Sequence, residues 1–228
     1  MSELPAGEPP TDAMSATKIA NYRSERGAHA YLDDHRQKLH RRVSDRRERR
    51  ILRDFLTRIG RTGLLLDLPC GYGRLLELLA TAAERVVEAD FSGSMLTLAR
   101  QLHGELASEY LECSALAIPR PDRSFGVAVS VRLNHHLESR AARLAHIAEL
   151  CRVADTAVVM TFFSAASLKN RLRQLRRLWN GKTPKNALAA AEVRAEFGRR
   201  GFAVERMVPL ARIGSGHVYV LARRLGSR

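Results

Sequence analysis

The chain has 228 residues, 45% apolar and 27% charged, a composition that fits a soluble globular domain with a substantial core and excludes collagen-like and disordered classes. Its 38 Lys and Arg against 24 Asp and Glu give a formal net charge of +14; that field suits nucleic acid, an anionic membrane surface or a phosphorylated metabolite, and equally suits plain arginine-rich solvated helix faces. Cys70, Cys113 and Cys151 lie far apart without CxxC or Cys/His spacing, so neither a disulfide framework nor a metal site is expected. No stretch reaches the roughly 20 apolar residues of a membrane span. The polar start MSELPAGEPPTDAMS has no apolar core of signal-peptide type, so the expected location is cytoplasmic, with peripheral contact at a membrane left open.

Residues 1–17, rich in Pro, Gly, Ser, Thr and acids, predict a mobile tail. Residues 18–60 read as an N-terminal helical extension: Tyr31, Leu39, Val43, Ile51, Leu52, Phe55, Leu56 and Ile59 recur at helical intervals among many charges, predicting one or two amphipathic helices. Between His40 and Arg53 stand seven arginines (Arg41, Arg42, Arg46, Arg47, Arg49, Arg50 and Arg53), interrupted by Asp45 and Glu48. Such a run fits a solvated face with i,i+3 or i,i+4 pairing, or a phosphate-binding surface.

From residue 61 to 228 short apolar runs alternate with helical segments. Strands are predicted over 64–68, 85–90, 109–113, 125–131 and 156–163, with helices over 74–84, 93–104 and 138–152. Strand-helix alternation implies a parallel sheet covered on both faces. The runs 202–210 and 217–224 are joined too closely for a parallel crossover and must pair antiparallel. The expected fold is α/β: a doubly wound, Rossmann-like, mostly parallel seven-stranded sheet with an antiparallel C-terminal strand pair and an N-terminal helical extension.

In such a sheet ligands bind at the carboxyl ends of the strands. The first junction reads LLLDLPCGYGRLLELL, with Asp67 at the strand end and Gly71 and Gly73 in the turn. The glycines permit close backbone approach, and an acid beside the turn repels a pyrophosphate but suits a cationic ligand. Leu76 occupies the third position of a GxGxxG fingerprint, and GK[ST] is absent.

Asp67-Leu-Pro-Cys-Gly71-Tyr-Gly73 resembles the first motif, D/E-x-G-x-G-x-G, of the class I S-adenosylmethionine-dependent methyltransferases, with Pro69 at the first glycine. VVEADFSGSML resembles the family's second strand and helix start, where an acid accepts from both ribose hydroxyls. Asp90 fills that position 23 residues after Asp67, near the spacing of about 20 in related nucleotide folds, and a carboxylate suits a diol because it only accepts. CSALAIPRPDRSFGVAVSVRLNHHL resembles a third segment, with Ser114 in place of an adenine-contacting Asp and Gly126 in place of an Asp after Phe125. The resemblance covers about residues 60–165 and, topologically, the final strand pair.

It implies S-adenosylmethionine as cofactor and S-adenosylhomocysteine as product. The implied cofactor contacts are Asp67, Leu68, Pro69, Cys70, Gly71, Gly73 and Arg74 in the first loop, Asp90, Phe91, Ser92 and Met95 at the second, Ser114, Ala115 and Leu116 at the third, and Ser130 at the fourth strand's end. His135 and His136 are the candidate bases, their ordinary pKa near 6.5 suiting deprotonation around neutrality, with structural packing as the alternative. Arg132, a charge directly after an apolar strand, is a candidate contact for an acidic acceptor or the methionine carboxylate, or else pairs with an internal acid. Asn134-His135-His136 stands where an amine methylase would carry [DNS]PP[YF], and Pro69-Cys70 lies in the wrong loop for attack on a pyrimidine. Residues 164–200 fall where the family builds an acceptor lid; Lys169, Arg171, Arg173, Arg176, Arg177, Lys182 and Lys185 with Trp179 make part of it cationic and amphipathic. The expected acceptor is a small or lipid-linked molecule, anionic in character, methylated at O or N. The alternatives are a structured RNA held by the arginine-rich helices and a silent cofactor-fold scaffold, and neither partner surface nor oligomeric state is specified.

Overall fold

The computed structural model describes residues 39–167, 186–211 and 215–226. The tail expected over 1–17, any helix before residue 39 and the cationic stretch 168–185 of the expected lid lie outside the described residues. Helix α1 (Leu39–Ile59) leads into strands β1 (Thr62–Asp67), β2 (Ala83–Asp90), β3 (Glu109–Glu112), β4 (Phe125–Ser130), β5 (Ala154–Phe163), β6 (Phe202–Pro209) and β7 (His217–Arg224). Helices α2 (Leu76–Ala80), α3 (Gly93–His103), α4 (Arg140–Val153) and α5 (Ala190–Arg199) connect them.

The seven strands run in the order β3-β2-β1-β4-β5-β7-β6. All pairs from β3 to β5 are parallel, and β7 pairs antiparallel with both β5 and β6. The order reverses between β1 and β4, which places the topological switch point beside the loop after β1. One sheet face buries Leu66, Val87, Met160 and Phe162 against Ile147 and Leu150 of α4 and Val193 and Phe197 of α5. The other buries Leu65, Val86, Val127 and Val159 against Ile51, Leu52, Phe55 and Leu56 of α1 and Leu76 and Leu79 of α2. Each large side chain so buried contributes about 1.5–3 kcal/mol relative to exposure, so α1 belongs to the core and is not an appendage.

Two predicted elements differ. The helix expected over 74–84 is only Leu76–Ala80, because β1 recruits the residues after it: the Thr62 N–H donates to the Ala82 carbonyl at 3.0 Å and Thr62 pairs with Ala83. Sheet pairing overrides the helix propensity of the alanines. The end of the stretch assigned to the lid is helix α5, whose Val193 and Phe197 are fully buried, so residues 190–199 belong to the layer that covers the sheet.

Candidate active site

A cleft of about 350 Å³ opens at the carboxyl ends of β1, β2 and β4. Asp67, Pro69, Cys70, Gly71, Tyr72, Arg74 and Leu75 line it from the loop after β1; Asp90, Phe91 and Met95 from the end of β2 and the start of α3; Val131, Arg132, Leu133, His135 and His136 from the loop after β4; and His217 from β7.

Its floor is acidic. Asp90 is buried and is oriented by backbone donors, Gly71 N–H to Oδ2 at 2.9 Å and Ser92 N–H to Oδ1 at 3.0 Å. Burial raises its pKa to about 6, against the pull of those backbone donors. Asp67 is 1% exposed, and among the described residues neither carboxylate oxygen has a hydrogen-bond partner. Burial first, then the neighbouring Glu88, push its pKa well above the carboxylate range. Glu88 stands opposite Asp67 in the β1–β2 register and is itself raised to about 8, chiefly by burial, with the Cys70 thiol beside it. Burial and these acids push the Cys70 thiol far up in turn, so it stays protonated and is no nucleophile.

The opposite side is cationic and tied to α1. Arg132 donates from Nε to Oε2 of Glu48 at 2.9 Å, Arg74 bridges Asp45 and Glu48, and the Tyr219 hydroxyl donates to Glu48. Arg49 closes the join, donating from Nη2 to the Arg74 carbonyl at 2.6 Å. Arg132 thus pairs with an internal acid, Glu48, and at the same time lines the cleft. At the third edge the His135 ring stacks on Phe163 at 4.1 Å and 17°, with His136 4.1 Å and His217 4.9 Å away between centroids. Among the described residues no group of three or more His, Cys, Asp and Glu is arranged to hold a metal ion.

Several residues expected at the cofactor are engaged elsewhere. Gly73 has φ +77°, and a Cβ there would lie 2.6 Å from the His103 ring; its glycine serves loop packing on α3, whereas Gly71 at φ +58° lines the cleft. Leu68 is core, and its N–H donates to Val129. Ser92 caps α3, its Oγ accepting from the Met95 N–H at 3.3 Å. Ser114, Ala115 and Leu116 are absent from the lining; the Ser114 hydroxyl accepts from the Leu116 N–H, and Ala115 is core. Ser130 is wholly buried on His146, its Oγ 3.1 Å from Nε2, while Asn134 Nδ2 lies 3.3 Å from Nδ1 of the same ring. The departure at Gly126 is steric: a Cβ would sit 1.9 Å from Thr62 Oγ1 on the adjacent strand.

Glu48, Tyr219 and His217 were not found from the sequence. For Glu48 a signal existed, since it shares the helical face of Ile51, Leu52 and Phe55 at i+3, i+4 and i+7. Tyr219 and His217 lie in a plain apolar strand with nothing to mark them.

Residues 66–158 match the family model described as a methyltransferase domain. That match runs from within β1 into β5. The structure superposes on magnesium protoporphyrin IX methyltransferase from Synechocystis PCC 6803 with bound S-adenosylhomocysteine at a TM-score of 0.73 and 16% identity, over 92% of this chain and 100% of that one. A methyltransferase from Methanosarcina mazei gives 0.58 and 18% over 72% and 93%. The mouse and human proteins named probable tRNA methyltransferase 9B are each 27% identical over 121 residues, 53% of this chain. That match spans about a quarter of the length of those relatives.

The cleft suits S-adenosylmethionine chemically. Asp67 offers two buried oxygens without donors, as an ammonium requires, and Asp90 offers an ionisable acceptor held rigidly, as a diol requires. Bound there, S-adenosylmethionine would supply a methyl group on a cationic sulfur.

Proposed function

We propose that the methyl group passes to an oxygen or nitrogen of a small-molecule or lipid-linked acceptor of anionic character, seated where His135, His136, His217 and Phe163 meet the cofactor cleft. The observation that carries this reading is the imidazole–phenyl wall at the cleft's edge: stacked rings give a flat apolar surface, and imidazole N–H groups can donate to an acidic one. In this reading Asp90 holds the ribose, Phe91 and Met95 flank the adenine, and Asp67 takes the ammonium. Catalysis is then mainly positional, since displacement at a methyl carbon needs only a lone pair aligned opposite the leaving sulfur. His135 or His136 removes the proton when the attacking atom carries one. The histidine turn is pinned for that task, the His135 carbonyl accepting from Asn186 Nδ2 at 3.3 Å and the His136 N–H donating to the Leu133 carbonyl at 2.7 Å.

A second reading, methylation of a structured RNA, is favoured by the tRNA methyltransferase relatives and by Arg46, Arg47, Arg50 and Arg53, all exposed on α1. Methyl-labelled S-adenosylmethionine incubated with the protein and fractionated cell extract separates the two. Label is expected in the lipid or small-molecule fraction, with transfer lost in the double variant His135→Ala/His136→Ala while affinity for S-adenosylhomocysteine is kept. Label confined to RNA, with binding that weakens steeply in salt, would replace the first reading by the second.

A further inference from the structure

Glu48 is a carboxylate in the middle of an arginine run, yet it is 0% exposed. Its partners come from three separate elements: Arg74 from the loop after β1, Arg132 from the loop after β4, and Tyr219 from β7. Burial acts to raise its pKa, but Arg74, Arg132 and the Tyr219 hydroxyl outweigh it and hold the carboxyl below its ordinary range. An ion pair of this kind contributes little stability over an apolar replacement of the same shape, so its presence calls for another role.

Arg132 supplies one. It has φ +65°, a left-handed conformation that costs a non-glycine residue about 1–3 kcal/mol and persists only when its surroundings impose it. Two contacts impose it: the Arg132 N–H donates to Thr161 Oγ1 at 2.6 Å, and Nε donates to Glu48. The guanidinium so held lines the cleft beside Arg74, in the same cavity as Asp67.

We propose that Glu48 is a positioning residue that fixes the Arg132 guanidinium, with Arg74 beside it, to receive the carboxylate of the cofactor's amino-acid half. This rests on the cofactor placement given above. Charge and position predict opposite signs. If Glu48 acted only through its charge, it would repel a carboxylate and its removal would tighten binding, whereas a positioning role makes removal weaken it.

The test is calorimetry on the full chain with S-adenosylhomocysteine and with 5′-methylthioadenosine, which lacks the amino-acid half. For Glu48→Gln we expect about a tenfold loss of affinity for the first ligand, the worth of one charge-assisted hydrogen bond, and less than about twofold for the second. Arg132→Met should show the same selectivity. Should Glu48→Gln fail to fold, Tyr219→Phe keeps every charge and should show the selective loss at about threefold. Equal losses on both ligands, or tighter binding of S-adenosylhomocysteine by Glu48→Gln, overturn the proposal. A wild-type protein that binds both ligands equally well overturns the carboxylate contact alone; one that binds neither overturns the cofactor placement and this inference together.

Discussion

Glu48 and Asp67 are both carboxylates removed from water on the same side of the sheet, yet they are treated in opposite ways. Glu48 is surrounded by Arg74, Arg132 and Tyr219 and its pKa falls; Asp67 has no hydrogen-bond donor among the described residues and its pKa climbs. A buried charge with partners is part of the scaffold, and a buried acid without them is a cost that the fold alone does not recover. The contrast separates what assembles the cleft from what the cleft keeps for a ligand.

The largest way to break that contrast is Glu48→Ala. Stranding two arginines should cost about 3–5 kcal/mol in urea unfolding; a loss below about 1 kcal/mol would show that the arginines simply turn to solvent and that Glu48 is no keystone. Asp67→Asn should do the reverse, leaving stability at pH 8 unchanged or higher while weakening S-adenosylhomocysteine binding about thirtyfold, or about 2 kcal/mol. Unchanged binding would remove Asp67 from the site. The smallest effect sharpens the acidic side. Because Glu88 is raised from 4.5 to about 8, the stability linked to it is fully present below pH 4.5 and is lost as pH rises through about 8. Glu88→Gln should therefore melt higher than wild type at pH 9, by about 1 kcal/mol in free energy once relaxation is allowed for, and match it near pH 4. Equal melting at both pH values would mean that Glu88 ionises without penalty.

The sheet was legible because its strands are buried on both faces and read as unbroken apolar runs, LLLDL and FGVAVSV among them. Pattern failed where pairing overrode propensity, at residues 81–84, and where the expected lid ended in α5. In the site, residues that must point into the cleft by strand geometry, such as Asp67 and Asp90, were readable from strand ends. Gly73, Ser92 and Ser130 were not, because each has a local duty, against His103, at the α3 cap and on His146, that a linear motif does not distinguish from ligand contact. Glu48 was hidden by its neighbours: read as one acid among seven arginines it signals surface pairing, such as Arg49 makes with Asp45 at 2.9 Å. Only its register with Phe55 shows that it points inward.

The bond between Tyr219 and Glu48 joins residues 171 positions apart. On a ribosome α1 emerges first, and its arginine partners follow on the early strands, but the hydroxyl that completes the set arrives with the last strand. A chain stopped before β7 could form the parallel half of the sheet and still lack a finished anchor for Arg132. Contacts this distant in sequence are slow to close, so the cationic wall should be among the last parts to mature, and ligand binding should report that the final strand has docked.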